Sequence, residues 1–242
     1  MESNLKAVRV KAAQASKGTS TEPVYKTILE RINELDISGY ALDFGAGAGY
    51  LAKAMCKTGR FSLVDAVDLV DYASVHDSRI QWVFTDLNEP MPIAAATYDL
   101  IVAAEVIEHL ENPRFLAREW FRLLRPGGAL IVSTPNNESW RSILSLIVRG
   151  HFAQFTGASY PAHITALLRK DFTRIFAETG FKQVGFTFTN NGVIPKLTSH
   201  TWGKVSFGVL KGLRYSDNLV CVARKPAYSG CSKVEPVRTS VL

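Results

Sequence analysis

The chain has 242 residues, of which 47% are hydrophobic and 21% charged, and its formal net charge is +6. Its length and hydrophobic content suit one domain with a sizeable core. No run of about 18 apolar residues is present, and residues 1–20 contain no apolar stretch, which argues against a membrane-spanning helix, a signal peptide and a transit peptide. We therefore expect a cytoplasmic protein.

The charge is distributed unevenly along the chain. Residues 1–20 have a net charge of +3 and residues 190–242 of +6, whereas the middle of the chain has −3. Basic ends can favour an anionic partner such as membrane lipid or nucleic acid, or they can simply be solvated. The cysteines are odd in number and widely spaced, so we expect free thiols rather than a disulfide framework or a zinc site. They are Cys56, Cys221 and Cys231.

The first predicted element is a helix that follows an irregular start. Residues 1–20 lack hydrophobic periodicity, and we expect them to form a flexible basic segment. The following stretch, residues 23–35, has Pro23 at its first turn and an apolar face at helical spacing. That face consists of Val24, Ile28, Ile32 and Leu35.

A strand, a glycine-rich turn and a helix follow, in the order that opens a nucleotide-binding crossover. The turn, residues 43–49, reads DFGAGAG. A dinucleotide fingerprint requires glycine at its sixth position, where this chain has Tyr50. Asp43 would repel a pyrophosphate, whereas it would attract a ligand that carries an ammonium and a sulfonium group. S-adenosylmethionine is such a ligand.

This turn resembles the first motif of class I S-adenosylmethionine-dependent methyltransferases and matches its Asp-x-Gly-x-Gly-x-Gly form in full. Later motifs follow at similar spacing, so the resemblance covers about residues 22 to 225. It implies S-adenosyl-L-methionine as the cofactor. It also implies that the turn itself binds the cofactor, through Asp43, Gly45, Ala46, Gly47 and Gly49.

Acidic residues follow the second and third predicted strands, residues 61–68 and 80–84. Asp68 ends the second strand, where an acidic residue can accept hydrogen bonds from both ribose hydroxyls. After the third strand, the resemblance implies that Asp86 accepts from the adenine amine and that Leu87 lines the ring pocket. Asp86 could alternatively serve only as a turn former before two prolines.

The fourth predicted strand, residues 98–104, ends where ligands bind in open α/β sheets. We therefore assign Ala104 and Glu105 to the cofactor site. Glu108 and His109 follow at the mouth of the same cleft. The ordinary pKa of a histidine lies near physiological pH, which suits His109 to act as a base toward a hydroxyl acceptor. Its alternative role is to orient the loop.

The remaining elements complete an α/β fold. They are a helix from Asn112–Pro113, a strand over 129–134, a helix over 171–179 and strands over 183–189 and 218–224. The resemblance implies a three-layer α/β/α sandwich with a Rossmann-like seven-stranded sheet and an antiparallel last strand. We expect one methyltransferase domain over 21–226 and a flexible C-terminal tail over 227–242.

Two stretches fall outside these elements, residues 136–163 and 190–216. The resemblance places such insertions over the methyl-acceptor site. Both mix apolar and basic side chains, which suggests a greasy or anionic acceptor, and the second stretch suggests peripheral contact with a membrane. The alternative is that the two insertions pack on each other as additional core.

The Glu105-to-His109 stretch, together with His163, also resembles two groups of enzymes that bind a divalent ion through two glutamates and two histidines. These are ubiquinone-pathway O-methyltransferases and small-RNA terminal 2′-O-methyltransferases. The same pattern recurs in methyltransferases without metal, so we assign no metal here. We assign catalytic roles to His109, Glu108 and His163.

The sequence thus predicts a methyltransferase that acts on a hydroxyl of a glycan, lipid-linked or quinone-like small molecule. Two alternatives stay open: a metal-assisted RNA terminal 2′-O-methyltransferase, and a non-catalytic S-adenosylmethionine-binding regulatory protein. Nucleic acid is not the expected partner, because the central part of the chain is acidic. The sequence specifies neither the acceptor atom nor the oligomeric state.

Overall fold

A computed structural model describes residues 2–16, 18–72, 74–195 and 197–227. The helices are α1 Glu2–Ser16, α2 Glu22–Leu35, α3 Tyr50–Lys57, α4 Pro113–Leu123, α5 Trp140–Arg149, α6 Arg169–Thr179 and α7 Trp202–Val205. The strands are β1 Gly39–Phe44, β2 Phe61–Asp68, β3 Ile80–Phe84, β4 Tyr98–Ala104, β5 Leu124–Pro135, β6 Lys182–Phe188, β7 Val193–Ile194, β8 Leu197–Thr201 and β9 Asn218–Arg224. Two short 3-10 helices lie at Ile107–His109 and Leu213–Tyr215.

Seven strands form one sheet in the order β3-β2-β1-β4-β5-β9-β6. The pairings among β1 to β5 are parallel, whereas β9 runs antiparallel to both of its neighbours, β5 and β6. Central strands of a parallel sheet are buried on both faces, which is why β2 and β4 read as apolar runs. The predicted seven-stranded sheet with an antiparallel last strand is confirmed.

Helices cover both faces of the sheet and create two cores. On one face, Trp120 of α4 and Phe172 of α6 are fully buried against β4 and β5. On the other face, Ile28 of α2 and Met55 of α3 are buried against β1 and β2. The molecule is therefore a three-layer α/β/α sandwich, as expected.

The bounds of β2, β3 and β4 agree with the sequence-based prediction, but β5 begins five residues earlier than expected. The glycines before the predicted strand belong to it, because their backbone pairs with the residue that follows β9. The Gly127 amide donates to the Lys225 carbonyl over 3.0 Å, and the Lys225 amide donates to the Gly128 carbonyl over 2.9 Å.

The structure differs from our expectation that residues 1–20 form a flexible basic segment. Instead of an irregular basic segment, Glu2–Ser16 forms helix α1. Arg9 donates to the carboxylates of Asp86, Glu89 and Glu111 over 2.8–2.9 Å, and its side chain is 13% exposed. The helix has little amphipathic periodicity, so local pattern did not reveal it; partners about 80 to 100 residues away hold it in place.

The two insertions meet at their bases. The Asn136 amide donates to the Leu213 carbonyl over 2.6 Å, and the Arg214 guanidinium donates to the Glu138 carbonyl over 2.6 Å. The first insertion contains α5, and the second contains the β7-β8 hairpin and α7. Many large apolar side chains in both remain exposed, so the insertions do not close into one shared core.

The thiols of Cys56 and Cys221 are buried and free, as expected. Cys231 and all but the first residue of the expected C-terminal tail, 227–242, lie outside the described residues. Among the helices that the structure describes, none has the length and apolar character needed to cross a bilayer.

Candidate active site

A cavity of about 300 Å³ lies at the carboxyl ends of β1, β2 and β4. Ends of parallel strands meet at one edge of the sheet, which places the residues after different strands around one space. Most of the predicted site residues line this cavity. They are Asp43, Gly45, Ala46, Asp68, Asp86, Leu87, Ala104, Glu105, Glu108, His109 and His163.

Asp43 is the second-last residue of β1, lines this cavity and is 1% exposed. Neither of its carboxylate oxygens has a hydrogen-bond partner among the described residues. Burial raises the pKa of Asp43 to about 7; the backbone amide of Ala52 opposes this rise, and the nearby Asp68 adds to it to a smaller extent. A buried carboxyl group without a partner is costly, so the position favours a ligand that brings a positive charge.

Asp68 is held rigidly at the end of β2. One carboxylate oxygen accepts from the Gly47 amide over 2.8 Å, and the other accepts from the Val70 amide over 3.2 Å. Burial raises the pKa of Asp68, and these amide contacts oppose that effect. Each oxygen keeps a further lone pair, so the carboxylate can accept from a pair of neighbouring hydroxyls.

Cofactor binding by Gly47 and Gly49 stays a prediction, and the structure gives both glycines a packing role as well. Neither lines the cavity. A Cβ on Gly47, whose φ is 52°, would lie 2.0 Å from the carbonyl oxygen of Gly18, and a Cβ on Gly49 would lie 2.7 Å from the Trp82 ring. These glycines therefore permit close packing around the turn, with the segment after α1 on its outer side.

Residues that the sequence analysis missed close one side of the cavity. The end of α1 and the segment after it contribute small and polar groups: Ala13, Ala15, Ser16, Gly18, Thr19, Ser20 and Thr21. The Ala48 amide donates to the Gly18 carbonyl over 2.9 Å, which ties this segment to the glycine-rich turn. No periodicity or motif marks it, so its position follows only from tertiary contacts.

Asp86 and Leu87 line the cavity after β3. The Asp86 carboxylate already accepts from Arg9 over 2.9 Å and from the Asn88 amide over 3.0 Å. Two contacts thus fix the position of Asp86: the ion pair with α1, and the turn at Asn88, which agrees with the alternative interpretation of Asp86 as a turn former. A contact with the adenine amine stays a prediction.

Glu105 follows β4 with a φ of 57° and points its carboxyl group toward the neighbouring strands. It accepts from the Ser133 hydroxyl over 3.0 Å and from the Asn218 amide over 2.7 Å. Burial raises the pKa of Glu105 well above its ordinary value, and the carboxyl group of Glu108 adds to the rise. Ser133 and Asn218 are further residues of the site that sequence reasoning did not identify.

Glu108, His109 and His163 form a compact cluster at the cavity. A carboxylate oxygen of Glu108 and one imidazole nitrogen of each histidine all lie within 4.8 Å of one another. The ring centroids of His109 and His163 are 4.9 Å apart. The chain brings them together because the amides of Ile164 and Thr165 donate to the Glu108 carbonyl over 2.9 and 3.0 Å.

Backbone carbonyls orient both imidazoles. Nδ1 of His109 lies 2.9 Å from the Ala162 oxygen, and Nδ1 of His163 lies 2.7 Å from the Gln154 oxygen. A carbonyl only accepts, so the neutral rings donate from Nδ1 and keep the lone pair on Nε2. Burial lowers the pKa of both histidines, and the neighbouring His109 lowers that of His163 further. Both are therefore neutral near pH 7.

The Glu108 side chain is fully buried. One oxygen accepts from the Thr134 hydroxyl over 3.1 Å, and the other has no hydrogen-bond partner among the described residues. Burial raises the pKa of Glu108 to about 8. Two imidazole lone pairs beside a partly unpaired carboxyl group can accept a proton or bind a cation.

Comparison with known proteins places this site in a family. A family model described as a methyltransferase domain matches residues 21–184. The ubiquinone biosynthesis O-methyltransferase of Escherichia coli O157:H7 is 32% identical over 149 residues, which cover 53% of this chain and 61% of that protein. The chain spans about a third to three fifths of the length of the curated relatives it matches.

Solved structures share the fold at low sequence identity. A SAM-dependent methyltransferase from Archaeoglobus fulgidus matches with a TM-score of 0.62 and 15% identity, over 87% of this chain and 96% of that one. Phosphoethanolamine N-methyltransferase 2 of Haemonchus contortus, in complex with S-adenosyl-L-methionine, matches with a TM-score of 0.60 and 14% identity, over 84% and 52%. Because the family match extends over more than half of the chain, the protein belongs to the class I S-adenosylmethionine-dependent methyltransferases.

Proposed function

We propose that this chain transfers a methyl group from S-adenosylmethionine to a hydroxyl oxygen of a small-molecule, glycan or lipid-linked acceptor. The observation that carries the proposal is the position of Glu108, His109 and His163, which line the same cavity as Asp43 and Asp68. Proton-accepting groups beside the cofactor site suit an acceptor that must lose a proton. Relatives named as ubiquinone biosynthesis O-methyltransferases support a quinone-like acceptor.

The residues of the cavity fit the cofactor of the family. S-adenosylmethionine, when bound, supplies a methyl group on a positively charged sulfur that is already activated for transfer. The unpaired carboxylate of Asp43 would attract its cationic part, and Asp68 would accept from the ribose hydroxyls. Asp86 and Leu87 would border the adenine ring.

His109 is the proposed general base. Its burial keeps the imidazole neutral at physiological pH, and its Nδ1 is committed to the Ala162 carbonyl. Nε2 can therefore accept the acceptor's proton; the acceptor oxygen would gain the methyl group as the bond between sulfur and the methyl carbon breaks, and the neutral thioether S-adenosylhomocysteine would leave. His163 would share the acceptor's hydroxyl through its own Nε2, and its lowered pKa keeps it neutral for that task.

The test is a labelled methyl-transfer assay with a panel of acceptors. Purified protein is incubated with methyl-labelled S-adenosylmethionine and catechols, glycans, lipid extracts or amines, and labelled products are identified by mass spectrometry. We expect label on oxygen. His109→Ala should lower turnover by roughly 10²–10⁴-fold with nearly unchanged cofactor affinity, whereas the exposed His76→Ala should behave as wild type.

Three outcomes would contradict this proposal or the role that it gives to His109. Label found only on amines would remove the hydroxyl acceptor. Cofactor binding without transfer to any member of the panel would favour the non-catalytic regulatory alternative. An equal loss of cofactor affinity in His109→Ala would make His109 a structural residue of the loop.

A second candidate is a metal-assisted form of the same reaction, favoured by the ligand cluster itself. Glu108, His109 and His163 offer a carboxylate and two imidazoles, a donor set that suits a divalent transition metal. A bound cation would lower the pKa of the acceptor hydroxyl. The Glu105 carboxylate faces Ser133 and Asn218 instead, so the described residues bring together three of the four ligands of the resembled pattern.

Metal titration separates the two forms. Calorimetry with Mg²⁺, Mn²⁺ and Zn²⁺ on the chelated protein should show saturable binding that Glu108→Gln weakens, if a metal is used. Activity that survives thorough chelation would end the metal-assisted candidate and would leave His109 as the base.

A further inference from the structure

Exposed large apolar side chains are concentrated in the two insertions. Of sixteen such residues in the described chain, ten lie within 136–163 and 190–216. They are Trp140, Leu144, Leu146, Ile147, Val148, Tyr160, Leu197, Val205, Phe207 and Val209. The exposed fractions reach 78% at Val148 and 97% at Phe207. Exposure on this scale, confined to one part of a protein, indicates an interaction surface.

These residues belong to neighbouring parts of the molecule. The Arg214 guanidinium lies 5.4 Å from the Trp140 ring centroid, which joins the start of α5 to the second insertion. Arg141 pairs with Asp217 over 2.8 Å at the same junction. We call the exposed apolar and basic residues of the two insertions the insertion surface.

Phe207 is the most exposed apolar residue of the insertion surface. Its backbone has a φ of 50°, a conformation that bulky residues rarely adopt. The Gly208 amide donates to the Gly203 carbonyl over 2.7 Å, and this contact closes the turn that presents the ring. The exposed ring of Phe207 adds nothing to the packing of the core, although its backbone is strained. We therefore expect the ring to contact a partner outside the chain.

The charge of the insertion surface indicates which kind of partner binds to it. The two insertions contain six basic residues and a single acidic one, Glu138, which is paired with Arg169. Within the described part of the chain, Arg149, Lys204 and Lys211 take part in no ion pair. Two copies of such a surface would repel each other, whereas apolar side chains flanked by free cations match the interface of an anionic bilayer.

We propose that the insertion surface docks on anionic phospholipid membranes, with Phe207 and Val209 inserted among the headgroups. The first insertion also lines the cavity, through Gln154, Ala158, Ser159, Ala162 and His163. Docking therefore places the acceptor side of the cavity near the bilayer. Membrane binding does not depend on the methyl-transfer proposal. Only the inference that the acceptor is lipid-linked or lipid-soluble rests on that proposed function.

The test is co-sedimentation with vesicles, without cofactor or acceptor. One set of vesicles is phosphatidylcholine with phosphatidylglycerol at 3:1, and the other is phosphatidylcholine alone. Binding should occur on the anionic set at low salt and weaken as salt rises, because salt screens the cations. The double variant Lys204→Glu/Lys211→Glu should lower partitioning at least tenfold, since each neutralised cation alone is worth about fivefold.

Two further variants keep the test decisive. Phe207→Ser/Val209→Ser changes exposed side chains and should lower partitioning while the thermal midpoint and S-adenosylmethionine affinity stay unchanged. Lys6→Glu/Lys11→Glu carries the same charge change on α1, where both side chains are exposed, and should lower binding much less. This control separates a local surface from a general effect of net charge.

Three results would overturn the proposal. One is failure of the wild-type protein to bind anionic vesicles at low salt. Another is equal loss in the α1 control. The third is a vesicle-independent dimer that Phe207→Ser/Val209→Ser abolishes, which would assign the surface to a second copy of the chain. None of these three results depends on methyl transfer. They test membrane binding alone, and the labelled methyl-transfer assay tests the proposed function separately.

Discussion

A buried carboxyl group without a hydrogen-bond partner makes ligand binding at this site depend on pH. Burial raises the pKa of Asp43 to about 7. A cationic ligand needs the ionised form, so binding must release a proton below that pH. We expect the affinity for S-adenosylmethionine to rise between pH 5.5 and about 7 and then to level off.

Calorimetry across pH 5.5–8.5, in buffers of different ionisation enthalpy, measures both the affinity and the released proton. Asp43→Asn should bind more weakly and lose most of this pH dependence. Asp36→Asn is a matched control, because Asp36 lies at the end of α2 with an exposed side chain and Asn tolerates its positive φ. A pH-independent wild-type affinity would show that Asp43 does not meet the cation.

At the scale of elements, α1 acts as a cover for the cofactor cavity. Arg9 fixes it to three carboxylates, and the pKa of Glu111 is lowered mainly by its hydrogen bond with Arg9. Asp86, which we predict to contact the adenine amine, is one of the three. We expect Arg9→Ala to weaken S-adenosylmethionine binding by roughly 2- to 20-fold, mainly through faster dissociation, because the cover loses its anchor.

Stopped-flow measurement of cofactor release tests this role. Arg114→Ala is the matched control, since Arg114 also pairs with a glutamate, Glu178, but on an exposed face away from the cavity. If both variants release the cofactor at the wild-type rate, α1 contributes nothing to retention.

At the scale of the whole molecule, the site makes the free protein less stable at alkaline pH. Burial raises the pKa of Asp43 to about 7 and that of Glu108 to about 8. In the unfolded chain both groups ionise near pH 4, so the folded state holds more protons and loses stability as pH rises toward these values. The buried histidines have lowered pKa values and stay neutral in the folded state, whereas in the unfolded chain they lose their proton near pH 6.5, so their opposing contribution becomes small above about pH 7.

The melting temperature of the ligand-free protein should therefore fall as pH rises from 6.5 to about 8 and then level off. Scanning calorimetry over this range measures the fall, and Asp43→Asn and Glu108→Gln should each flatten it. Saturating S-adenosylmethionine should do the same, because the bound cation stabilises ionised Asp43. A flat or rising profile in the free protein would contradict the raised pKa values that burial gives these carboxyl groups.

Most strands of the large sheet, and most of the predicted residues that line the cavity, could be found from local sequence signals. The bounds of β2, β3 and β4, and the positions of Asp43 and Asp68 at strand ends, follow from apolar runs that stop at polar residues. Such signals are local, because hydrophobic periodicity and turn chemistry act over a few residues.

Tertiary contacts determine which distant segments of the chain complete the cavity, and these contacts could not be predicted from the sequence. Arg9 meets Asp86 across 77 residues, and Gly18 packs closely against Gly47. His163 joins His109 because the backbone after it pairs with the Glu108 carbonyl. Contacts of this kind depend on the path of the whole chain over the sheet, and single hydrogen bonds and ion pairs between distant residues leave no periodic trace in the sequence.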